Sequence, residues 1–299
     1  MKNQEKKTGF VAVVGRPNVG KSTLVNAMVG SKVSITGPKP QTTRNKIIGI
    51  KTGEDYQIVF VDTPGAINPR NELGNFMKKS IDSAVEGIDL LLIVLDSSKI
   101  TDKDFKLIEK YKNIKVPIFI CLNKTDISKF DEVYPKLEKL NELKYITEFV
   151  SLSAKTGKDV DKLIEKIVEY LPTGYYMYDG DQITDRSVRF LASEIVREKA
   201  LLFLQEEIPH GIAVDIPKFD EKKRIVHIEA EIIAIKQNHK PIIIGKDGEM
   251  LKRIGSSARV EIEQMLGKKV NLQLFVKVRE NWQDNLSTLR EFGYDKKGI

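Results

Sequence analysis

The sequence contains one cysteine, Cys121, inside the apolar run VPIFICLNK. A lone thiol excludes an intrachain disulfide and a zinc set built on cysteine. Its apolar setting also speaks against a reactive thiolate, which needs nearby positive charge and solvent access. No apolar run approaches the roughly 18 residues that span a bilayer. The opening MKNQEKKTGF has no apolar signal core, so the expected location is the cytoplasm. Internal repeats and low-complexity tracts are also missing. Charge of one sign is not segregated either: of the net charge of +7, +6 falls in residues 1–172 and +1 in the rest. A basic balance suggests a polyanionic partner, but bulk charge does not locate its site. Local density is more informative, because Lys236, Lys240, Lys246, Lys252 and Arg253 share one window with only Asp247 and Glu249 against them.

What is present is an ordinary globular composition, 41% hydrophobic and 30% charged over 299 residues, enough for two domains of usual size. Up to residue 171, the short apolar runs FVAVVG, QIVFVD, LLLIVLD, PIFICLN and EFVSLS alternate with helical patterns. Runs this short, closed by Gly, Asp, Pro or Ser, predict strands buried on both faces of a parallel sheet, hence a doubly wound α/β domain. A helix in KDVDKLIEKIVEYL closes that unit, and LPTG ends it. The stretch LPTGYYMYDGDQ is expected to be a linker whose tyrosines pack on a domain surface. Beyond it, TDRSVRFLASEIVREKALLFLQEE predicts one long amphipathic helix, GIAVDIP a strand, and RIVHIEAEIIAI a strand of period two. One buried face and one wet face predict an antiparallel sheet there. Short helices around GKDG, the strand VNLQLFVKV and the tail WQDNLSTLREFGYDKKGI complete the order.

GRPNVGKS, Gly15 to Ser22, follows a strand and opens a helix, the context that the G-x-x-x-x-G-K-[ST] pattern requires. Gly15, Arg16, Pro17, Asn18, Val19 and Gly20, with Lys21, Ser22 and Thr23 at the helix start, would wrap phosphates. The N–H groups there lack intrahelical partners and carry the positive end of the helix dipole. Lys21 would reach the β- and γ-phosphates, and Ser22 would ligate Mg²⁺. The base is chosen by LNKTD, where Asp126 would accept from N1–H and the exocyclic amine of guanine. Adenine offers neither, so ATP would leave that carboxylate, expected to be buried, unpaired. Asn123 would tie this turn to the phosphate loop, and the stem of Lys124 would lie over the base. In SAK, Ser153, Ala154 and Lys155 follow another strand, with the Ala154 N–H donating to guanine O6. Asp62 in DTPG would hold Mg²⁺ through water, and Gly65 would bring its N–H to the γ-phosphate. In PKPQTTRNK, Thr43 or Thr42 would complete the Mg²⁺ shell. Both segments would relax once the γ-phosphate leaves, which makes the domain a switch as well as a hydrolase.

Catalysis would then rest on Asn18, Lys21, Thr43 and Gly65. Ala66 stands after DTPG, where many signalling GTPases carry a glutamine that orients the attacking water. Alanine cannot do so, and slow turnover is expected. The missing charge would come from a monovalent cation such as K⁺ beside Asn18, or from a partner. Arg16 and Arg44 are weaker candidates for that charge and are expected to be surface or switch residues.

The second glycine pair, GKDG at Gly245 to Gly248, sits between an apolar helix candidate and a basic one, within a helix, strand, strand, helix, helix, strand order. That is the order of the type II KH module, whose glycine loop clamps about four nucleotides of single-stranded backbone. Gly245 and Gly248 would let phosphates approach, Lys246 would add charge, and Lys252 or Arg253 would extend the path. Ile242, Ile243 and Ile244 would form a platform for bases where they are not core.

The series GRPNVGKS, PQTTRNKI, DTPG, NKTD and SAK, followed by IIIGKDGEMLKRIGSSAR and VRENWQDNLSTLREFGY, resembles the bacterial Era GTPases over nearly the whole chain. The GTPase motifs belong to a superfamily; their combination with a C-terminal KH domain is specific. The resemblance implies a P-loop GTPase domain with a mostly parallel, doubly wound α/β sheet over residues 1–172, a linker over 173–183, and an α+β type II KH domain with a helical tail over 184–299. It implies Mg²⁺ with GTP or GDP, and the 3′ end of 16S ribosomal RNA bound through Ile244, Gly245, Lys246, Asp247, Gly248, Lys252 and Arg253. It further implies a monomer that acts in small-subunit assembly, with peripheral contact at the inner face of the membrane. Two other readings stay open: a membrane-associated signalling GTPase, and an RNA-binding assembly factor that does not turn GTP over.

Overall fold

A computed structural model describes residues 6–294 apart from Pro38, Pro40, Ile67, Lys129 and Glu207, and leaves out the side chains of residues 130–133. The start of the chain, read above for a signal core, and the tail's last residues, 295–299, lie outside the described residues. The first domain runs β1 (Lys6–Val14), α1 (Lys21–Val29), β2 (Ile47–Thr52), β3 (Tyr56–Asp62), α2 (Glu72–Ser83), β4 (Leu90–Asp96), α3 (Asp102–Lys110), β5 (Ile118–Asn123), α4 (Phe130–Asn141), β6 (Glu148–Ser151), α5 (Val160–Tyr170) and the two-residue β7 (Thr173–Gly174). The sheet order is β2-β3-β1-β4-β5-β6, with β7 beside the start of β1. β1 pairs in parallel with β3 and β4, and β5 with β4 and β6; only β2 and β7 run antiparallel to their neighbours.

Along β1, Val11 and Val13 join the core beneath α1 and α5, while Ala12 and Val14 join the core that holds Ile108 of α3 and Leu140 of α4. With both faces dry, the central strands have no reason to alternate, which is why they read as continuous apolar runs. Register then aligns their polar ends on one edge. Val13 sits opposite Asp62, and Asp96 opposite Asn123, at the carboxyl ends where open α/β sheets bind ligands. The sequence reading missed β2, whose run IIGIKT is interrupted by Gly49 and Lys51.

The second domain runs α6 (Val188–Phe203), β8 (Ile212–Glu221), β9 (Ile225–Ala234), α7 (His239–Ile244), α8 (Glu249–Leu266), β10 (Lys269–Val278) and α9 (Leu286–Glu291). Val226, Ile228, Ala230 and Ile232 of β9 are buried with Val196 of α6 and Ile254, Ala258 and Ile262 of α8. The expected antiparallel sheet is corrected here: β9 is antiparallel to β8 but parallel to β10. A period of two reports one-sided burial and carries no direction; the crossover through α7 and α8 returns β10 parallel.

Two further expectations change. α6 begins at Val188, with Ser187 Oγ accepting from Phe190 N at 3.2 Å, so residues 184–186 precede it. The expected linker is an ordered strap along β2 and β3. Gln57 Oε1 accepts from Met177 N and Tyr178 N, the Tyr176 hydroxyl donates to Gly53 O, and Ile50 N donates to Ile183 O. No helix among the described residues is long and apolar enough to cross a membrane.

Candidate nucleotide site and nucleic-acid groove

The phosphate loop joins β1 to α1. Gly20 takes φ +96°, and a Cβ there would lie 2.3 Å from Asn123 Nδ2, so the loop closes on the base-reading turn only with glycine. Asn123 makes that closure: its Nδ2 donates to Val19 O at 2.9 Å, and its Oδ1 accepts from Ala154 N at 2.9 Å. The amide expected to read guanine O6 is therefore also bonded to Asn123. Lys124 Nζ donates to Asn18 O at 2.6 Å and pairs with Asp96 at 2.7 Å, which lays its stem across the turn. Ser153 Oγ donates to Asp126 Oδ1 at 2.7 Å and aims that carboxylate. Asp126 itself is exposed, as is Lys155, against the burial expected of that carboxylate; a base must supply the enclosure that makes it selective.

Lys21 is buried and donates to the carbonyls of Gly15 and Arg16 at 3.2 and 3.1 Å. Burial lowers its pKa to about 8, against the pull of Asp62. Burial likewise raises the Asp62 carboxyl, with Lys21 opposing. Ser22 Oγ lies 2.8 Å from Thr43 Oγ1, whereas the Thr42 hydroxyl donates to Lys39 O. The Thr43 hydroxyl rather than that of Thr42 thus faces Ser22, although both residues line the cleft. Neither Asp62 oxygen meets full hydrogen-bond geometry, although the residue is wholly buried and the Ser22 and Ser34 hydroxyls and the Thr63 N–H stand close enough to favour its charged form. Two facing hydroxyls beside a buried carboxylate with no well-formed hydrogen bond suit a hard divalent cation with oxygen ligands. Among the described residues no three His, Cys, Asp or Glu side chains converge, so phosphate oxygens and water would have to fill its shell.

Gly65 lies against the loop, where a Cβ would meet Pro17 N and Cα at 2.8 Å, and Ala66 N donates to Gly15 O at 3.2 Å. Pro17, Asn18, Gly20, Lys21, Ser22, Thr23, Thr42, Thr43 and Gly65 are among the residues that line one cleft. Neither arginine considered for the missing charge is available to it. Arg16 Nε pairs with the buried Asp104 at 2.6 Å, and Arg44 is buried against the second domain, donating to Ile212 O at 2.7 Å.

In the second domain, Gly245 and Gly248 take φ +77° and +81° with Asp247 at +51°. Nothing lies within 4 Å of where a Gly248 Cβ would point, and that open space belongs to a groove of about 350 Å³. The groove is bounded by Gly248, Leu251, Lys252, Gly255, Ser256, Arg259, Leu272 and Leu274. Lys246 and Asp247 are exposed at its end, Ile244 is half-buried and Ile243 is core. Arg253 is turned away, its guanidinium 4.3 Å from the Phe203 ring centroid. Ser256 and Arg259 were missed by the motif reading, though Lys252, Gly255, Ser256 and Arg259 fall on one helical face.

A doubly wound domain with this loop, carrying a KH fold behind it, defines a GTP-binding protein of the P-loop class with a nucleic-acid module. Residues 10–124 match the family described as 50S ribosome-binding GTPase, and residues 207–283 match the KH domain. The GTPase Era of Clostridium perfringens is 48% identical over 293 residues, covering 97% of this chain and 99% of its own. That of Clostridium acetobutylicum is 47% identical, covering 96% and 98%. This chain belongs to the Era family of GTPases. Two solved Era structures superpose with a TM-score of 0.91 at 40% identity. One is an Aquifex aeolicus variant bound to GDP·AlF4⁻, covering 96% of this chain and 99% of its own. The other is a complex with MgGDPNP and nucleotides 1506–1542 of 16S ribosomal RNA, covering 97% and 99%.

Proposed function

We propose that this chain hydrolyses GTP as a molecular switch, binds the 3′ end of 16S ribosomal RNA through its KH domain, and acts in assembly of the small ribosomal subunit. The observation that carries the reading is the relative with a TM-score of 0.91 that holds MgGDPNP and nucleotides 1506–1542 of 16S ribosomal RNA together. The working units are residues 1–172 and 184–299, joined by the strap 173–183, whose first two residues form β7 and pair with β1 of the first sheet. Its place is the cytoplasm, with any membrane contact peripheral and at the inner face; sedimentation with lipid vesicles tests that contact.

Mg²⁺, when bound, would neutralise charge on the β- and γ-phosphates. Ser22 and Thr43 would hold it directly and Asp62 through water. The loop N–H groups and Lys21 would bind the phosphates, and Asn123, Lys124, Asp126, Ser153, Ala154 and Lys155 would hold the guanine. Gly65 would place its N–H at the γ-phosphate. Ala66 orients no water, so turnover is slow, with Asn18 and a monovalent cation stabilising the developing charge. RNA would enter the Gly248–Arg259 groove, its backbone passing Gly245 to Gly248 and Lys252.

The test measures multiple-turnover GTP hydrolysis in K⁺ and Na⁺ buffers, and binding of RNA spanning nucleotides 1506–1542, for the wild type and Gly248→Asp. Hydrolysis should be faster in K⁺. Gly248→Asp should remove RNA binding, because its carboxylate would project into the groove at a strained positive φ, and should leave GTP affinity unchanged. RNA affinity that survives the substitution would sink the groove assignment; absence of turnover would leave an RNA-binding factor only.

A further inference from the structure

Thr43 is held beside Ser22, yet both of its chain neighbours are gripped from the other domain. The carbonyl of Thr42 accepts from the Arg197 guanidinium of α6. Arg197 is 1% exposed, and its Nε and NH2 bond both oxygens of Glu194 at 2.7 and 2.6 Å, which fixes its aim. On the other flank, Arg44 NH1 donates to Ile212 O at 2.7 Å and Tyr294 Oη at 3.4 Å, and NH2 donates to His210 O at 3.2 Å. Its guanidinium carbon stands 5.7 Å from the Trp282 ring centroid. Trp282 stacks on Tyr294 with centroids 6.1 Å apart and donates Nε1 to Gly211 O at 3.2 Å. The carbonyls of His210 and Ile212 and an aromatic face therefore receive a guanidinium that is itself 1% exposed. A buried charge of this kind is tolerable only while its partners stay in place, so the position of Arg44 depends on the docking of the two domains.

We propose that Arg44 is a positioning residue for GTP hydrolysis: anchored in the second domain, it holds Thr43 at the Ser22 hydroxyl. The docked second domain thereby sets how well the first retains its divalent cation beside a triphosphate. The inference rests on the GTPase reading of Ser22 and Thr43, and it assigns Arg44 and Arg197 no contact with the reacting atoms. Because a γ-phosphate and its cation order the switch segments, the effect belongs to the triphosphate state and should be absent with GDP.

The chain has one tryptophan, Trp282, so its emission reports on this joint. Titrating Mg²⁺ into the full-length protein with a non-hydrolysable GTP analogue should change that emission more than the same titration with GDP. Arg44→Lys and Arg44→Ala should suppress the difference. They should raise the half-saturating Mg²⁺ for the analogue by about tenfold, a typical coupling between sites, and lower kcat by a similar factor. Binding of Mg²⁺ with GDP should stay as in the wild type. Arg197→Lys, which releases Thr42 while keeping the charge, should act in the same direction.

If Arg44→Lys and Arg197→Lys leave the Mg²⁺ dependence of the analogue unchanged while the wild type binds GTP, the positioning role is wrong and the GTPase reading stands. Equal loss of GDP and analogue binding, with a lower melting temperature, marks Arg44 as structural only and overturns the role as well. A wild type that fails to bind GTP overturns both.

Discussion

Asp126 shows how far one residue decides the ligand. In the proposed role its carboxylate, aimed by Ser153, would accept two donors that guanine has and adenine lacks. Asp126→Asn would trade one acceptor for a donor, which mismatches the guanine amine but suits the second carbonyl of xanthine. Two charge-assisted bonds to a carboxylate are worth about 3 kcal/mol or more together. GTP affinity should therefore fall at least about 100-fold, with xanthosine triphosphate gaining, in a competition assay; undiminished GTP binding would refute the role. Asp126, Lys21 and Ser22 were legible because short motifs fix their geometry locally. Arg16, Arg44 and Arg253 were not. Each long side chain finds a partner distant in sequence, Asp104, Ile212 and Phe203 respectively, and no local spacing encodes which partner it meets.

Elements were legible where burial imposes a period. The doubly buried β1, β3, β4 and β5 stand out as apolar runs, and β9 as an alternation up to Ile232. Pairing direction and the strap were not legible, because direction follows the crossover between strands, and residues 173–186 are held by bonds to the backbone and to Gln57. α8 is the element that turns the GKDG loop into a groove. Lys252 and Arg259 lie along it on the groove side and Arg253 does not. Arg259→Ala should weaken RNA binding and reduce the salt slope by about one, as expected for one lost phosphate contact. Arg253→Ala should leave the slope unchanged. Filter binding across a salt series separates the two, and equal effects would contradict the groove's orientation.

At the scale of the molecule, the segments around the phosphate cleft are also the segments that touch the second domain. Leu73, Phe76 and Met77 of α2, just beyond the DTPG segment, share an apolar cluster with Ala213, Trp282 and Leu289. Asn71 Nδ2 donates to Gln283 Oε1 at 3.1 Å. Lys32, ahead of Thr43, pairs with Glu198 of α6 and with Glu261 of α8, the helix that lines the groove. Burial alone would raise the Glu198 carboxyl, but hydrogen bonds from Lys32, the Thr36 N–H and Lys199 outweigh it and hold it below the usual range, so this carboxylate stays ionised at neutral pH. Any coupling of ligands across such a joint is reciprocal: if nucleotide changes RNA binding, RNA changes nucleotide binding by the same factor. The direct test is the affinity of the full-length protein for RNA spanning nucleotides 1506–1542 with a GTP analogue, with GDP and with no nucleotide. Binding about tenfold tighter with the analogue than with GDP is the expected result; equal affinity in all three states would contradict a GTP-controlled RNA switch.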